Sequence, residues 1–251
     1  GIAVTGVFRL ATEEDVARYS KTDLNAAPQG LFIADGTHPV RRLLETGAAV
    51  EVLGLQEKLD ALEIPPGVTA LCASHQQVTT IHGPRYHSGI MALGRIPSHA
   101  LPEHGLLVAL DGVHDAENVG AILRTAVALG AHGVVAGETT TSPWIRRAVR
   151  VSVAAGLLIP TVVVPDLAAF LRKRRAYAAV VDDQSVPHWD VDWRGDAVVV
   201  LGAEDKGIRP TVRAACVGSV RIPMANSMDS LNVAACAAVL LAEAARQRLR
   251  A

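Results

Sequence analysis

The stretch that decides the fold is "LLVALDGVHDAENVGAILRTAVALGAHGVVAG", residues 106–137. It opens with an apolar run, continues with helical periodicity from Asn118 to Gly130, and ends in a second apolar run. Strands that are apolar throughout and alternate with helices are typical of parallel sheets that are covered on both faces. The stretch therefore predicts a β-α-β unit of an α/β fold.

The same alternation continues to the end of the chain. Further apolar runs are "LLIPTVVV", "YAAVVDD", "AVVVLGAE" and "VRIPM", at 157–164, 177–183, 197–204 and 220–224. Helices are expected from Asp166 and from about Leu231, where Asp229 and Ser230 are the candidate caps. We expect a mostly parallel sheet with helices on both faces.

A linker is predicted at residues 96–105, "IPSHALPEHG", because this segment holds two prolines and a glycine between apolar, strand-like runs. Before it, "GLFIADGTHPVRRLLETGAAVEVLGL" predicts a strand from Leu31 to Ala34, a helix from Thr37 that ends before Gly47, and a strand from Val50. The predicted division is therefore a small α/β domain at 1–95, the linker, and a larger domain at 106–251.

Composition constrains the function only weakly. The chain has 251 residues, half of them hydrophobic, and a net charge of −1, which does not by itself indicate a nucleic-acid partner. Arginine nonetheless occurs in clusters, and its planar guanidinium suits phosphate. The candidate RNA contacts are Arg41, Arg42, Arg146, Arg147 and Arg150. Solvated arginines without a binding role remain the alternative.

Several function classes lack their sequence signatures. No apolar run is long enough for a membrane span, and no secretory leader pattern is visible, which predicts a cytoplasmic protein without a membrane partner. Three widely separated cysteines and the lack of an HExxH motif predict neither a disulfide framework nor a metal site. The GxGxxG and phosphate-loop patterns of nucleotide-binding enzymes are missing as well.

Three strand-to-helix turns are the candidate ligand sites, because ligands of parallel sheets bind beyond the carboxyl ends of the strands. They are "DGVHDAENVGAILRTA" at 111–126, "LGAEDKGI" at 201–208 and "IPMANSMDSLNVAA" at 222–235. On the first, helical geometry puts Arg124 on a face of small residues that include Gly120 and Ala128, so another molecule could approach it. A solvated arginine, an ordinary acidic turn and simple helix capping are the alternative interpretations.

Together the three turns resemble the motifs of the SpoU family, the ribose 2'-O-methyltransferases of the SPOUT superfamily. The matching residues are Asn118, Gly120, Arg124 and Ala126, then Gly202, Glu204 and Gly207, and finally Ile222 to Met224 with Ser230 to Ala234. The resemblance covers roughly residues 105 to 247. One departure is Asn226, where many members have glycine; since asparagine also adopts the left-handed conformation, the turn is expected to survive.

The resemblance implies a trefoil knot in the C-terminal domain, a homodimer formed by the first and last helices of that domain, and S-adenosylmethionine as cofactor. The implied cofactor-binding residues are Leu201, Gly202, Ile222, Met224, Ser230, Leu231 and Asn232. The implied catalytic residues are Arg124, Asn118, Glu204, Ser230 and Asn232. The first domain resembles, more weakly, the small RNA-binding module of rRNA-modifying members.

The implied activity is methyl transfer to a ribose 2'-hydroxyl in structured RNA, with 23S-type ribosomal RNA favoured over tRNA. A tRNA 2'-O-methyltransferase, a non-catalytic RNA-binding protein and an unrelated doubly wound enzyme are the alternatives. Because a guanidinium has a pKa above about 12, Arg124 is expected to orient the hydroxyl and stabilise negative charge on its oxygen rather than to act as a base. Asn118 would help hold the substrate or Arg124, and Glu204 would brace the loops or face the sulfonium.

Overall fold

The computed structural model describes residues 8–20, 30–84 and 88–249. Contacts within the chain divide it into two compact units. The first comprises Gly1–Ser98 and Trp144–Leu157, and the second comprises His99–Pro143 and Leu158–Ala251.

Most strands are followed by a helix along the described residues. Up to the end of the first sheet they are β1 (Arg9–Leu10), α1 (Glu13–Ser20), β2 (Leu31–Asp35), α2 (Thr37–Glu45), β3 (Ala49–Gly54), α3 (Gln56–Asp60), β4 (Thr69–Cys72), α4 (His75–His82) and β5 (Ile90–Arg95). After it they are β6 (Leu106–Asp111), α5 (Ala116–Ala128), β7 (Gly133–Ala136), α6 (Arg146–Ser152), β8 (Thr161–Val163), α7 (Leu167–Leu171), β9 (Ala176–Ala179), β10 (Val186–Pro187), β11 (Ala197–Gly202), α8 (Pro210–Ala214), β12 (Gly218–Arg221) and α9 (Val233–Arg248).

The first unit is built on a five-stranded mixed sheet with the order β1-β4-β3-β5-β2. Strand β5 runs antiparallel to β2 and β3, whereas β4 runs parallel to β3 and β1. Its faces carry alternate residues: Phe32 and Val52 pack into one core, and Ile33 and Leu53 pack into the other. The strand, helix and strand predicted around α2 are confirmed.

Residues 144–157 group with the first unit, although the sequence assigned them to the second domain. Trp144 packs on Phe32 with ring centroids 5.0 Å apart, and Val149 is buried in the same core. The Arg146 side chain, only 13% exposed, pairs through Nε with the Asp35 carboxylate. Apolar burial and this ion pair attach the segment to the first sheet, which hydrophobic periodicity along the chain could not reveal.

The second unit contains the predicted parallel sheet. Seven strands, all parallel, are arranged in the order β10-β12-β9-β11-β6-β7-β8. Helices α7 and α8 contribute to the core on one face, and α5 and α9 lie against each other and contact strands β7 and β11. Since every strand is parallel, the carboxyl ends of β6, β11 and β12 lie at one edge, where the three turns begin.

Candidate functional site

A cavity of about 530 Å³ lies at this edge of the second sheet, within the usual range for small-molecule sites. Its wall is formed by the ends of β9, β11 and β12 and by the segment that leads into α9. All seven residues predicted to bind the cofactor line it: Leu201, Gly202, Ile222, Met224, Ser230, Leu231 and Asn232. The structure thus brings these residues together, and their contact with a cofactor stays a prediction.

Two glycines shape the second turn, each for a different reason. A Cβ on Gly202 would lie 2.5 Å from the carbonyl carbon of Gly207 and 2.6 Å from the amide nitrogen of Ile208, so no side chain fits there. Gly207 has a φ of +65°, in the left-handed region that glycine adopts most easily. Hydrogen bonds between the backbones of Ala203 and Gly207, at 2.9 and 3.2 Å, close the turn. Glu204 is therefore held at its exposed tip, beside the cavity.

A chain of side-chain amides joins the three motifs. The Asn118 amide donates a hydrogen bond to Oε1 of Glu204. Asn232 donates from Nδ2 to Oδ1 of Asn118 at 3.1 Å, and its own Oδ1 accepts from the backbone amide of Ala234 at 2.9 Å. Residues that are more than 100 positions apart in sequence are thereby fixed at the mouth of the cavity.

The start of the last helix differs from the sequence prediction. Asn232, rather than Ser230 or Asp229, is the cap, and α9 begins at Val233. Asn232 reaches the amides of the first turn, whereas Ser230 and Asp229 lie in the preceding loop and line the cavity. In the same loop Asn226 has a φ of 56°, which confirms that this asparagine adopts the left-handed conformation.

Arg124 lies apart from the other predicted catalytic residues. It is exposed on α5 and does not line the cavity, and no hydrogen bond from its side chain is seen within residues 8–20, 30–84 and 88–249. Six residues separate it from Asn118, which corresponds to about 9 Å along a helix axis and to a different face. Of the small residues predicted on the face of Arg124, Ala128 is exposed and Gly120 is buried.

An ion-pair network that the sequence analysis missed lies beside the second turn. Asp111, whose side chain is fully buried, accepts hydrogen bonds from the Arg209 backbone amide and from Arg209 Nε, both at 2.7 Å. Arg209 Nη1 also pairs with Oε1 of Glu138 at 2.7 Å. Burial raises the pKa of Glu138, but hydrogen bonds from Arg209 and backbone amides outweigh it and lower that pKa overall. The sequence feature that could have indicated this network is Asp111, a carboxylate at the end of an apolar strand.

The arginines predicted to contact RNA separate into two groups. Within the first unit, Arg146 pairs with the Asp35 carboxylate and donates a hydrogen bond from Nη1 to the Tyr19 carbonyl at 2.6 Å. Arg42 donates from Nη1 to the Val153 carbonyl at 2.7 Å. Both guanidinium groups thus have partners within the first unit, and a contact of either arginine with RNA stays a prediction. The remaining three, Arg41, Arg147 and Arg150, are exposed.

The described residues contain no group of three or more His, Cys, Asp or Glu side chains arranged to hold a metal ion. Burial raises the pKa of the Cys216 and Cys236 thiols to about 11, so both stay protonated at neutral pH. Among helices in the described part of the chain, none combines the length and apolar character that a membrane crossing requires.

Known proteins resemble both units of the chain. RlmB of Acinetobacter baylyi, a 23S rRNA (guanosine-2'-O-)-methyltransferase, is 32% identical over 212 residues, which are 78% of this chain and 85% of that protein. RlmB of Pseudomonas aeruginosa is 33% identical over 227 residues, 87% of this chain and 88% of that one. The crystal structure of an AdoMet-bound rRNA methyltransferase from Sinorhizobium meliloti has a TM-score of 0.80 and 25% identity, and the match covers 96% of this chain and 97% of that one.

The three motifs also fall within a match to a family profile. The profile of the SpoU rRNA methylase family matches residues 105–242, which is more than half of the chain. The matched range contains Asn118, Glu204 and Asn232, which the structure joins by hydrogen bonds. This chain therefore belongs to the SpoU rRNA methylase family.

Proposed function

We propose that this chain methylates the ribose 2'-hydroxyl of a nucleotide in 23S ribosomal RNA, with S-adenosylmethionine as cofactor. The observation that carries the proposal is the cavity at the carboxyl edge of the second sheet, to whose mouth Asn118 is joined through Glu204 and Asn232. The RlmB relatives, named as 23S rRNA guanosine methyltransferases, favour this RNA and a guanosine target.

The residues of the cavity fit this cofactor. Leu201, Ile222 and Met224 offer an apolar surface to a nucleoside, and the missing side chain at Gly202 lets the backbone approach it. The volume of about 530 Å³ accommodates a molecule of this size. When bound, S-adenosylmethionine supplies an electrophilic methyl group.

Arg124 is the proposed catalytic residue. Its guanidinium orients the 2'-hydroxyl and stabilises the negative charge that develops on the oxygen. Because Arg124 does not line the cavity formed by its own chain, we propose a homodimer through α5 and α9 that completes the site. Exposed alanines on α9, Ala235 and Ala242, would allow close packing of the second copy.

We further propose the C-terminal trefoil knot and a cytoplasmic location. The position of β12 between β9 and β10, followed by residues 222–232 that share one cavity with the end of β11, supports the knot. The first unit is the proposed RNA-selecting part. Its exposed arginines, Arg41, Arg147 and Arg150, are the candidate phosphate contacts.

The test is methyl transfer from labelled S-adenosylmethionine to unmodified rRNA and, separately, to unmodified tRNA, followed by mapping of the modified nucleotide. We expect label at a ribose 2'-oxygen of 23S rRNA. Label on tRNA alone would overturn the proposal that 23S rRNA is the substrate. Cofactor binding without transfer to either RNA would instead favour a non-catalytic RNA-binding protein.

A further inference from the structure

The Asp111, Arg209 and Glu138 network connects two of the three motifs. Asp111 is the last residue of β6 and leads into the turn before α5, whose first turns carry Asn118. Arg209 directly follows the turn that carries Glu204. A bond between Asp111 and Arg209 therefore ties together the two segments whose side chains meet as Asn118 and Glu204.

The geometry of the connection is restrictive. The Asp111 carboxylate receives one hydrogen bond from the backbone and one from the side chain of the same arginine, at 2.7 Å each. These two bonds fix both the path of the chain at residue 209 and the direction of the guanidinium. Glu138 pairs through Oε1 with Nη1 of the same guanidinium, and its second oxygen accepts from the Leu167 amide at 2.9 Å. The planar fork of arginine satisfies all of these partners at once, which an ammonium cannot do.

The turn held in this way forms part of the cavity wall. Residues Gly202, Ala203, Glu204 and Gly207 line the cavity, and the backbone of residues 207 and 208 occupies the space that a Cβ on Gly202 would need. A shift of Arg209 would thus change the shape of the cavity and the position of Glu204 together. The tip of the turn, Glu204, Asp205 and Lys206, is exposed. Besides Arg209, the turn is restrained by the two backbone bonds between Ala203 and Gly207 and by the Asn118 bond to Glu204.

We propose that Arg209 is a positioning residue, which holds the cavity-lining turn and Glu204 in the geometry that binds the cofactor. This inference rests on the proposed function, since it assumes that the cavity takes S-adenosylmethionine. Asp111 is the buried anchor of the arginine, and Glu138 fixes the far end of its guanidinium.

The experiment measures the Kd for S-adenosylhomocysteine by titration calorimetry on the full chain, together with KM for S-adenosylmethionine, kcat and the thermal midpoint. The variants are Arg209→Lys and the milder Glu138→Gln; the matched control is Arg246→Lys, which alters an ion pair of equal length, 2.7 Å, to Glu243 on α9. We expect Arg209→Lys to raise both Kd and KM about tenfold, which is equivalent to about 1.4 kcal/mol. Glu138→Gln should raise both about threefold, and Arg246→Lys should leave both within about twofold of the wild-type values.

Two results would overturn the inference. The first is that Kd and KM are unchanged in both Arg209→Lys and Glu138→Gln. The second is that the loss of binding equals the unfolded fraction of each sample, which is what a purely structural role of Arg209 requires. If Arg209→Lys does not fold, Glu138→Gln decides by the same criteria, because its side chain is 32% exposed. Failure of the wild-type chain to bind S-adenosylhomocysteine would instead reject the proposed function.

Discussion

The first unit and the candidate site of the second unit use their polar residues in opposite ways. In the first unit charged groups are buried and paired: Asp15 and Glu51 are 4% and 9% exposed, and Arg18 bridges them at 2.7 and 3.0 Å. Burial raises the pKa of Asp15, but hydrogen bonds from Arg9 and Thr12 outweigh it and hold that pKa well below its usual range. In the second unit the candidate site joins two neutral amides to one exposed carboxylate, beside a cavity.

The difference teaches that an arginine cluster is not by itself evidence of a nucleic-acid surface. In each arginine pair of the first unit, one member points inward and the other is exposed. Arg42 and Arg146 bind groups within the unit, whereas their neighbours Arg41 and Arg147 are exposed. Buried charge pairs support the fold, and exposed groups next to a cavity remain available for chemistry.

The largest expected effect is on the stability of the first unit. Arg146→Ala leaves the mostly buried Asp35 carboxylate without its main cation, and we expect a loss of about 3 to 5 kcal/mol in the free energy of unfolding, measured by urea denaturation. Arg150→Ala, on the same helix but exposed, should change it by less than about 0.5 kcal/mol. Equal losses of unfolding free energy in the two variants would contradict the distinction between the paired Arg146 and the exposed Arg150.

The next largest effect is on catalysis in the second unit. Arg124→Ala should lower the rate of methyl transfer about 100-fold or more, because it removes stabilisation of the developing oxyanion worth about 3 to 4 kcal/mol. The unfolding free energy and the Kd for S-adenosylhomocysteine should not change, since Arg124 is exposed and lies outside the cavity. A rate loss of less than tenfold with RNA binding intact would reject the role.

The smallest effect concerns the amide chain. Asn232→Ala removes the cap of α9 and the bond to Asn118, and we expect a loss of about 1 kcal/mol in the free energy of unfolding. Ser230→Ala, two residues earlier, is the matched control. It should change the free energy of unfolding little, because Ser230 is exposed and does not cap the helix. The reverse order of effects would contradict the cap seen in the structure.

The sequence predicts the central strands of the second unit and the elements around α2 in the first, but not the other helices and strands of the first unit or the long-range arrangement. Apolar runs separated by helices identify the parallel sheet because its central strands, β6, β7 and β11, are buried on both faces. The insertion of β12 between β9 and β10 leaves no trace in hydrophobic periodicity, since periodicity identifies a strand but not its neighbours in the sheet. The left-handed conformation of Asn226 could be predicted, because asparagine adopts it readily, whereas the same conformation at Ser227, with a φ of 58°, has no such signal.

The candidate site was predicted residue by residue, but not its connections. Resemblance to a family indicated Asn118, Glu204 and Asn232, and only the folded chain joins them by hydrogen bonds. The roles of Arg146 and Arg209 were missed for one reason. Each pairs with a carboxylate about 100 positions away, Asp35 or Asp111, and no local pattern encodes such a partner.

The assignment of residues 144–157 to the first unit has a consequence for synthesis on the ribosome. The chain emerges from its N-terminus, so the first sheet is exposed to the cell while residues 99–143 are still being made. At the usual rate of about 5 to 20 residues per second, synthesis from Ser98 to Leu157 takes roughly 3 to 12 s. During that time the surface later covered by Trp144 and Val149 remains open, so translation speed and chaperones will influence the yield of folded protein.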